Sequence, residues 1–93
     1  MSDVNGTTNG HGVVVYTTDP CGFCRQAKML LQSRGIEYEE INLSRNPAGR
    51  EALVRKTGQM TFPQVLVGDR SVGGFRELLE ADRDGILESL LAA

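Results

Sequence analysis

The chain has 93 residues, enough for one domain, and its 40% hydrophobic and 24% charged residues are ordinary globular composition rather than disorder or fibre. Ten Lys and Arg against twelve Asp and Glu leave a formal net charge of −2, which argues against a nucleic-acid or anionic-membrane footprint, since either needs a basic excess or stripe. The apolar run Val13-Val14-Val15-Tyr16 is far too short for a bilayer, Met1–Gly12 has no secretory pattern, and two cysteines cannot build a multi-bridge secreted scaffold; a small cytoplasmic, monomeric enzyme or carrier is expected.

Residues 1–12, with Gly6, Gly10 and Gly12 among Ser, Asn and Thr, show no hydrophobic period and are expected to form a disordered tail. His11, the chain's single histidine, falls there, so the folded domain expected over residues 13–93 has no imidazole to activate a nucleophile. Val13–Thr17 is continuous and β-branched, the pattern of a central strand covered on both faces, and Asp19-Pro20 ends it. Phe23, Ala27, Leu30 and Leu31 then place one apolar face on a helix, with Arg25, Gln26, Lys28 and Gln32 around the rest, until Gly35 stops it. Glu37–Leu43 reads as a half-exposed strand.

Asn46 as cap and Pro47 in the first turn open a second helix that ends at Gly58. Its expected inward residues are Ala48, Ala52 and Leu53, and its outward ones Arg50, Glu51, Arg55 and Lys56. Gln64–Val67 and Arg70–Val72 flank Gly68-Asp69, a strong hairpin signal. Gly73-Gly74 leads to a short helix over Arg76–Ala81, and Ile86, Leu87, Leu90 and Leu91 form a last amphipathic segment. Two strands joined by a helix make a right-handed, parallel βαβ unit, and the hairpin completes the sheet. The expected fold is α/β: a three-layer sandwich with a four-stranded mixed sheet and helices on both faces.

Cys21-Gly22-Phe23-Cys24 lies where the first strand hands over to the first helix. Free N–H groups and the positive dipole end meet there and favour an anion, and thiols in such sites ionise at roughly 3.5–7.5. Cys21, at the cap, is expected to be exposed. Cys24, one turn inward with Ala27 and Leu31, is expected to be shielded, with both sulfurs on one side of the helix. These positions assign Cys21 as attacking nucleophile and Cys24 as resolving thiol, and a thiolate needs no general base. A zinc site would need two further ligands that the folded part does not offer, so no metal is expected.

Thr61-Phe62-Pro63 precedes the apolar strand and, alone, reads as an edge-strand device. Beside a CxxC, a cis Phe62–Pro63 bond would turn the Phe62 backbone toward Cys21, where it can pair strand-like with a thiol peptide.

Taken in order and spacing, the strand before Cys21-Gly22-Phe23-Cys24, Thr61-Phe62-Pro63, and Gly73-Gly74 before a short helix resemble the glutaredoxin family across Val13–Leu91. The resemblance implies a thioredoxin fold, reduction of protein disulfides, and removal of glutathione from glutathionylated proteins, with glutathione as co-substrate. Glutathione would lie along Phe23, Thr61, Phe62 and Pro63 and the turn Gly74-Phe75-Arg76. Its γ-glutamyl carboxylate would meet N–H groups at the start of the following helix, and Glu77 its amine. Four positions depart from the family pattern. Thr18 stands where a Lys is frequent, Phe23 where a Tyr is usual, and Gly22 where a Pro is usual, as in the monothiol CGFS motif although Cys24 is kept. Gly74-Phe75-Arg76 resembles redoxins that take electrons from thioredoxin reductase and serve ribonucleotide reductase. Gly22 without proline also leaves open a [2Fe–2S] carrier in which two chains share a cluster through Cys21 and glutathione.

Overall fold

The computed structural model describes residues 12–92; the expected tail and His11 lie outside the described residues, apart from Gly12. Eight elements follow in order: β1 (Val13–Thr17), α1 (Gly22–Ser33), β2 (Tyr38–Asn42), α2 (Pro47–Thr57), β3 (Gln64–Val67), β4 (Arg70–Gly73), α3 (Phe75–Arg83) and α4 (Ile86–Ala92). They build a four-stranded mixed sheet in the order β2-β1-β3-β4. β1 runs parallel to β2 with Val15 opposite Glu40, and antiparallel to β3 with Val15 opposite Val65. The hairpin β3–β4 closes one edge. None of these helices is long and apolar enough to cross a membrane.

The two sheet faces separate by residue parity. Val13 and Val15 of β1 and Val65 and Val67 of β3 join Ala27, Leu31, Leu78, Ala81 and Leu87 in one core, so α1, α3 and α4 share a face. The alternate β3 residues, Gln64 and Leu66, are buried on the other face, where Gln64 hydrogen-bonds to Thr57 of α2. β3 is therefore buried along its whole length, which explains its unbroken apolar character after Gln64.

α1 ends as its sequence requires. Gly35 takes φ 68°, its N–H donates to the Gln32 carbonyl, and the Ile36 N–H reaches the Leu31 carbonyl at 3.0 Å. This closed C-terminal motif needs a left-handed residue, which glycine adopts without a Cβ clash. α2 begins with the Asn46 side chain accepting from the Gly49 N–H at 2.9 Å and ends at Gly58.

Several expectations are corrected. The second strand is shorter than Glu37–Leu43, and Leu43 is buried in the loop that follows it. In α2, Ala48 and Ala52 are exposed and Leu53 is the buried residue. The helix is rolled so that Arg50 faces inward, donating to the Leu43 and Ser44 carbonyls at 2.6 and 3.0 Å. Those loop carbonyls need donors, and a guanidinium satisfies two at once. Phe23 is not on the apolar face of α1: it is 60% exposed, and the buried face is Cys24, Ala27 and Leu31. The third helix runs beyond Arg76–Ala81 at both ends, and Ile86 points to solvent while Leu87 is buried.

Candidate active site

Cys21 is the N-cap of α1, in extended backbone at φ −156° and ψ 104°. Its Sγ accepts from the Cys24 N–H at 3.1 Å, so the sulfur occupies the place where a Ser or Asp side chain usually satisfies an orphan helix amide. The expected placement at the positive helix end is met, and the side chain is partly open to solvent. Cys24 is buried and 3% exposed. Burial first, and the hydrogen bond with Cys21 second, push its thiol from the ordinary 9.0 up to about 12. The two sulfurs are free thiols in contrasting settings: one reachable, the other held as a neutral thiol below it.

The loop leading into Cys21 is tied to the β2–α2 connection. The Asp19 N–H donates to Ser44 Oγ at 2.6 Å, and Asn42 Nδ2 donates to Asp19 Oδ2 at 3.0 Å. On the opposite flank, the Phe62 carbonyl lies 3.8 Å from Cys21 Sγ, and the Phe62–Pro63 peptide is cis, as is Asp19–Pro20. The Phe62 carbonyl thus reaches the Cys21 sulfur, whereas Thr61 is exposed and Pro63 is buried.

Gly73-Gly74 packs against this segment. Gly73 has φ +120°, and a Cβ there would come within 2.9 Å of the Glu77 side chain; one on Gly74 would meet the Pro63 carbonyl at 3.5 Å. The turn therefore brings backbone close to Pro63 and opens α3. Glu77 folds back so that Oε1 accepts from the Gly74 N–H at 2.9 Å. Phe75 stacks on Phe23 with ring centroids 6.0 Å apart, linking the first turns of α1 and α3 beside the CxxC. Arg76 and Glu77 are exposed at the same helix start. Among the described residues no group of three or more His, Cys, Asp or Glu side chains is placed to hold a metal ion.

One supporting device escaped the sequence reading. Gln64 is fully buried yet satisfied: its Nε2 donates to the Gln59 carbonyl at 2.8 Å, and its Oε1 receives Thr57 Oγ1 at 2.8 Å. The Gln59 N–H in turn donates to Thr57 Oγ1 at 3.2 Å. This latch fixes both ends of the 58–63 connection that carries Phe62. The one available signal was a polar residue opening an otherwise apolar strand.

Residues 13–72 match the family model described as Glutaredoxin. A glutaredoxin of Pseudomonas aeruginosa is 43% identical over 81 residues, which make up 87% of this chain and 96% of that one. The crystal structure of the buckwheat glutaredoxin–glutathione complex superposes with a TM-score of 0.80 at 34% identity, covering 90% of this chain and 79% of that chain. The solution structure of a Brucella melitensis glutaredoxin does so with a TM-score of 0.78 at 37% identity, covering 92% and 94%. The mixed sheet and its helices are thus the thioredoxin-like arrangement, with Cys21 and Cys24 together at the strand-to-helix junction. Sequence, fold and cysteine placement agree: the chain belongs to the glutaredoxin family of thiol–disulfide oxidoreductases.

Proposed function

We propose that the protein is a glutathione-dependent dithiol enzyme acting in a reducing compartment such as the cytoplasm. Cys21, as thiolate, attacks a protein disulfide or the sulfur of a glutathionylated protein. Cys24 resolves the resulting mixed disulfide when the substrate requires two electrons, and glutathione restores the dithiol. The carrying observation is the pairing of a partly open sulfur at the α1 cap with the Phe62 carbonyl 3.8 Å away. A thiol peptide such as glutathione would hydrogen-bond along the Phe62 backbone. Its γ-glutamyl carboxylate would meet the first amides of α3 around Phe75 and Arg76, with Glu77 exchanging its Gly74 contact for the ligand amine. The expected redox poise is roughly −200 to −230 mV.

Replacing Cys21 with Ser should abolish thiol transfer, whereas Cys24→Ser should leave deglutathionylation largely intact. Loss of deglutathionylation in Cys24→Ser would overturn these roles. A second reading keeps the chemistry and changes the electron source to thioredoxin reductase. The stack of Phe75 on Phe23 favours it, because the two rings fill space beside the start of α3. NADPH consumption decides: activity with glutathione and glutathione reductase supports the first reading, and activity with thioredoxin reductase alone supports the second.

A further inference from the structure

A cleft of ≈ 320 Å³ opens beside the two cysteines, lined by Thr18, Cys21, Cys24, Arg25, Lys28 and Glu40 among others. Neither the Thr61–Pro63 segment nor the Gly73–Glu77 turn borders it, so Cys21 is the residue it shares with the face that would take the thiol peptide. Lys28 lies four residues after Cys24, on the same side of α1. Its ammonium is held by both Glu40 oxygens, at 3.0 and 3.1 Å. Glu40 is fixed in turn by the buried Thr17, whose Oγ1 donates to Oε2 at 2.8 Å. A lysine free to extend into water keeps its rotamer entropy, so this three-residue arrangement holds a cation at a chosen place beside the shielded sulfur.

We propose that Lys28 is a positioning residue for the resolving step: anchored by Glu40 and Thr17, its ammonium favours the Cys24 thiolate as that sulfur attacks the mixed disulfide on Cys21. This rests on the cysteine roles proposed above. In the step, the Cys24 thiol gives its proton to water in the cleft. The thiolate pair forms the Cys24–Cys21 bond, the bond from Cys21 to the substrate sulfur breaks, and the leaving thiolate takes a proton from solvent. The two cysteines lose two electrons and the substrate gains them.

The surrounding charges are compatible with that role. Besides Lys28, the cleft presents Arg25, Asp19 and Glu40, and Tyr38 lies near Lys28 on β2. Glu40 is engaged by Lys28 and Thr17, and Asp19 accepts from Asn42, so both carboxylates have partners. Among the influences on Cys24, burial and Cys21 raise its affinity for the proton, while the Thr18 backbone and Lys28 lower it.

The test uses one equivalent of 5,5′-dithiobis(2-nitrobenzoate) and stopped-flow absorbance. Attack by Cys21 releases the first thionitrobenzoate, and attack by Cys24 on the mixed disulfide releases the second. In Lys28→Met the second phase should slow about three- to tenfold near neutral pH, and its pH profile should move up by about half to one unit. The first phase should change much less. Lys28→Arg, which keeps the charge, should restore the second phase. An unmoved profile in Lys28→Met, or equal slowing of both phases, overturns the role of Lys28. A second release persisting in Cys24→Ser would instead overturn the cysteine assignment itself.

Discussion

The backbone of Cys24 binds the sulfur of Cys21, through an N–H to Sγ hydrogen bond of 3.1 Å, while the Cys24 side chain is almost wholly buried. One residue therefore supports the exposed sulfur and hides its own. Iodoacetamide at neutral pH should modify one thiol per folded chain, and peptide mapping should find it on Cys21. Cys24 should become reactive only in denaturant. Equal modification of both cysteines in the folded protein would contradict the burial described here.

Alkaline pH tests the same contrast. Burial, then the hydrogen bond with Cys21, raises the Cys24 thiol from 9.0 to about 12, so between those values the folded chain holds a proton that the unfolded chain releases. The corresponding stability is fully present below pH 9 and is lost as pH rises through about 12. The midpoint of urea unfolding should fall across that window in the wild type. The fall should be smaller in Cys24→Ala, which has no thiol to ionise there. An identical pH dependence in both proteins would remove Cys24 as its cause.

Gln64 predicts a link between stability and the position of Phe62. Its replacement by Ala removes the donor to the Gln59 carbonyl and one of the two acceptors of Thr57 Oγ1, which keeps the Leu53 carbonyl, a loss on the order of 1 kcal/mol for each hydrogen bond. For a domain of this size each kcal/mol lowers the melting temperature by roughly 4–8 °C. Thiol transfer should fall as well, because the connection from Gly58 to Pro63 loses its fixed end. A melting temperature within a degree of wild type would show that the latch contributes nothing.

The contrast between α1 and α2 marks how far the residues alone could be read. Cys21 and Cys24 are legible because a helix terminus has its own chemistry: the cap position leaves Cys21 partly open, and Cys24, one turn inward on the same side, joins the buried face with Ala27 and Leu31. β1 was legible from its unbroken β-branched run. Periodicity gives α2 the wrong roll: alanines suit either face, and the roll is decided by Arg50 meeting the Leu43 and Ser44 carbonyls, a contact made by a loop. The spacing of Phe23 to Ala27 fits the apolar face of a helix. In the fold its ring has Phe75 to stack on, and the core position one residue later belongs to Cys24. The Lys28–Glu40 pair had no signal along the chain. It exists because the parallel register sets Glu40 opposite Val15, two residues from Thr17, and so within reach of α1.

Gly22 offers the last test, since proline is usual at its position in the resembling family. It is the first residue of α1, where the N–H has no intrahelical partner, and a Cβ built there meets nothing within 4 Å. Cys21 before it is already extended at φ −156° and ψ 104°, the region a following proline prefers. Gly22→Pro should therefore fit without moving either sulfur and should restrict the unfolded chain, a gain of about 0.4–1 kcal/mol. The melting temperature should rise by a few degrees, roughly 2–8 °C on the scaling for small domains, with Cys21 still the one thiol modified in the folded state. A fall in melting temperature would mean that the first turn of α1 relies on the freedom of glycine.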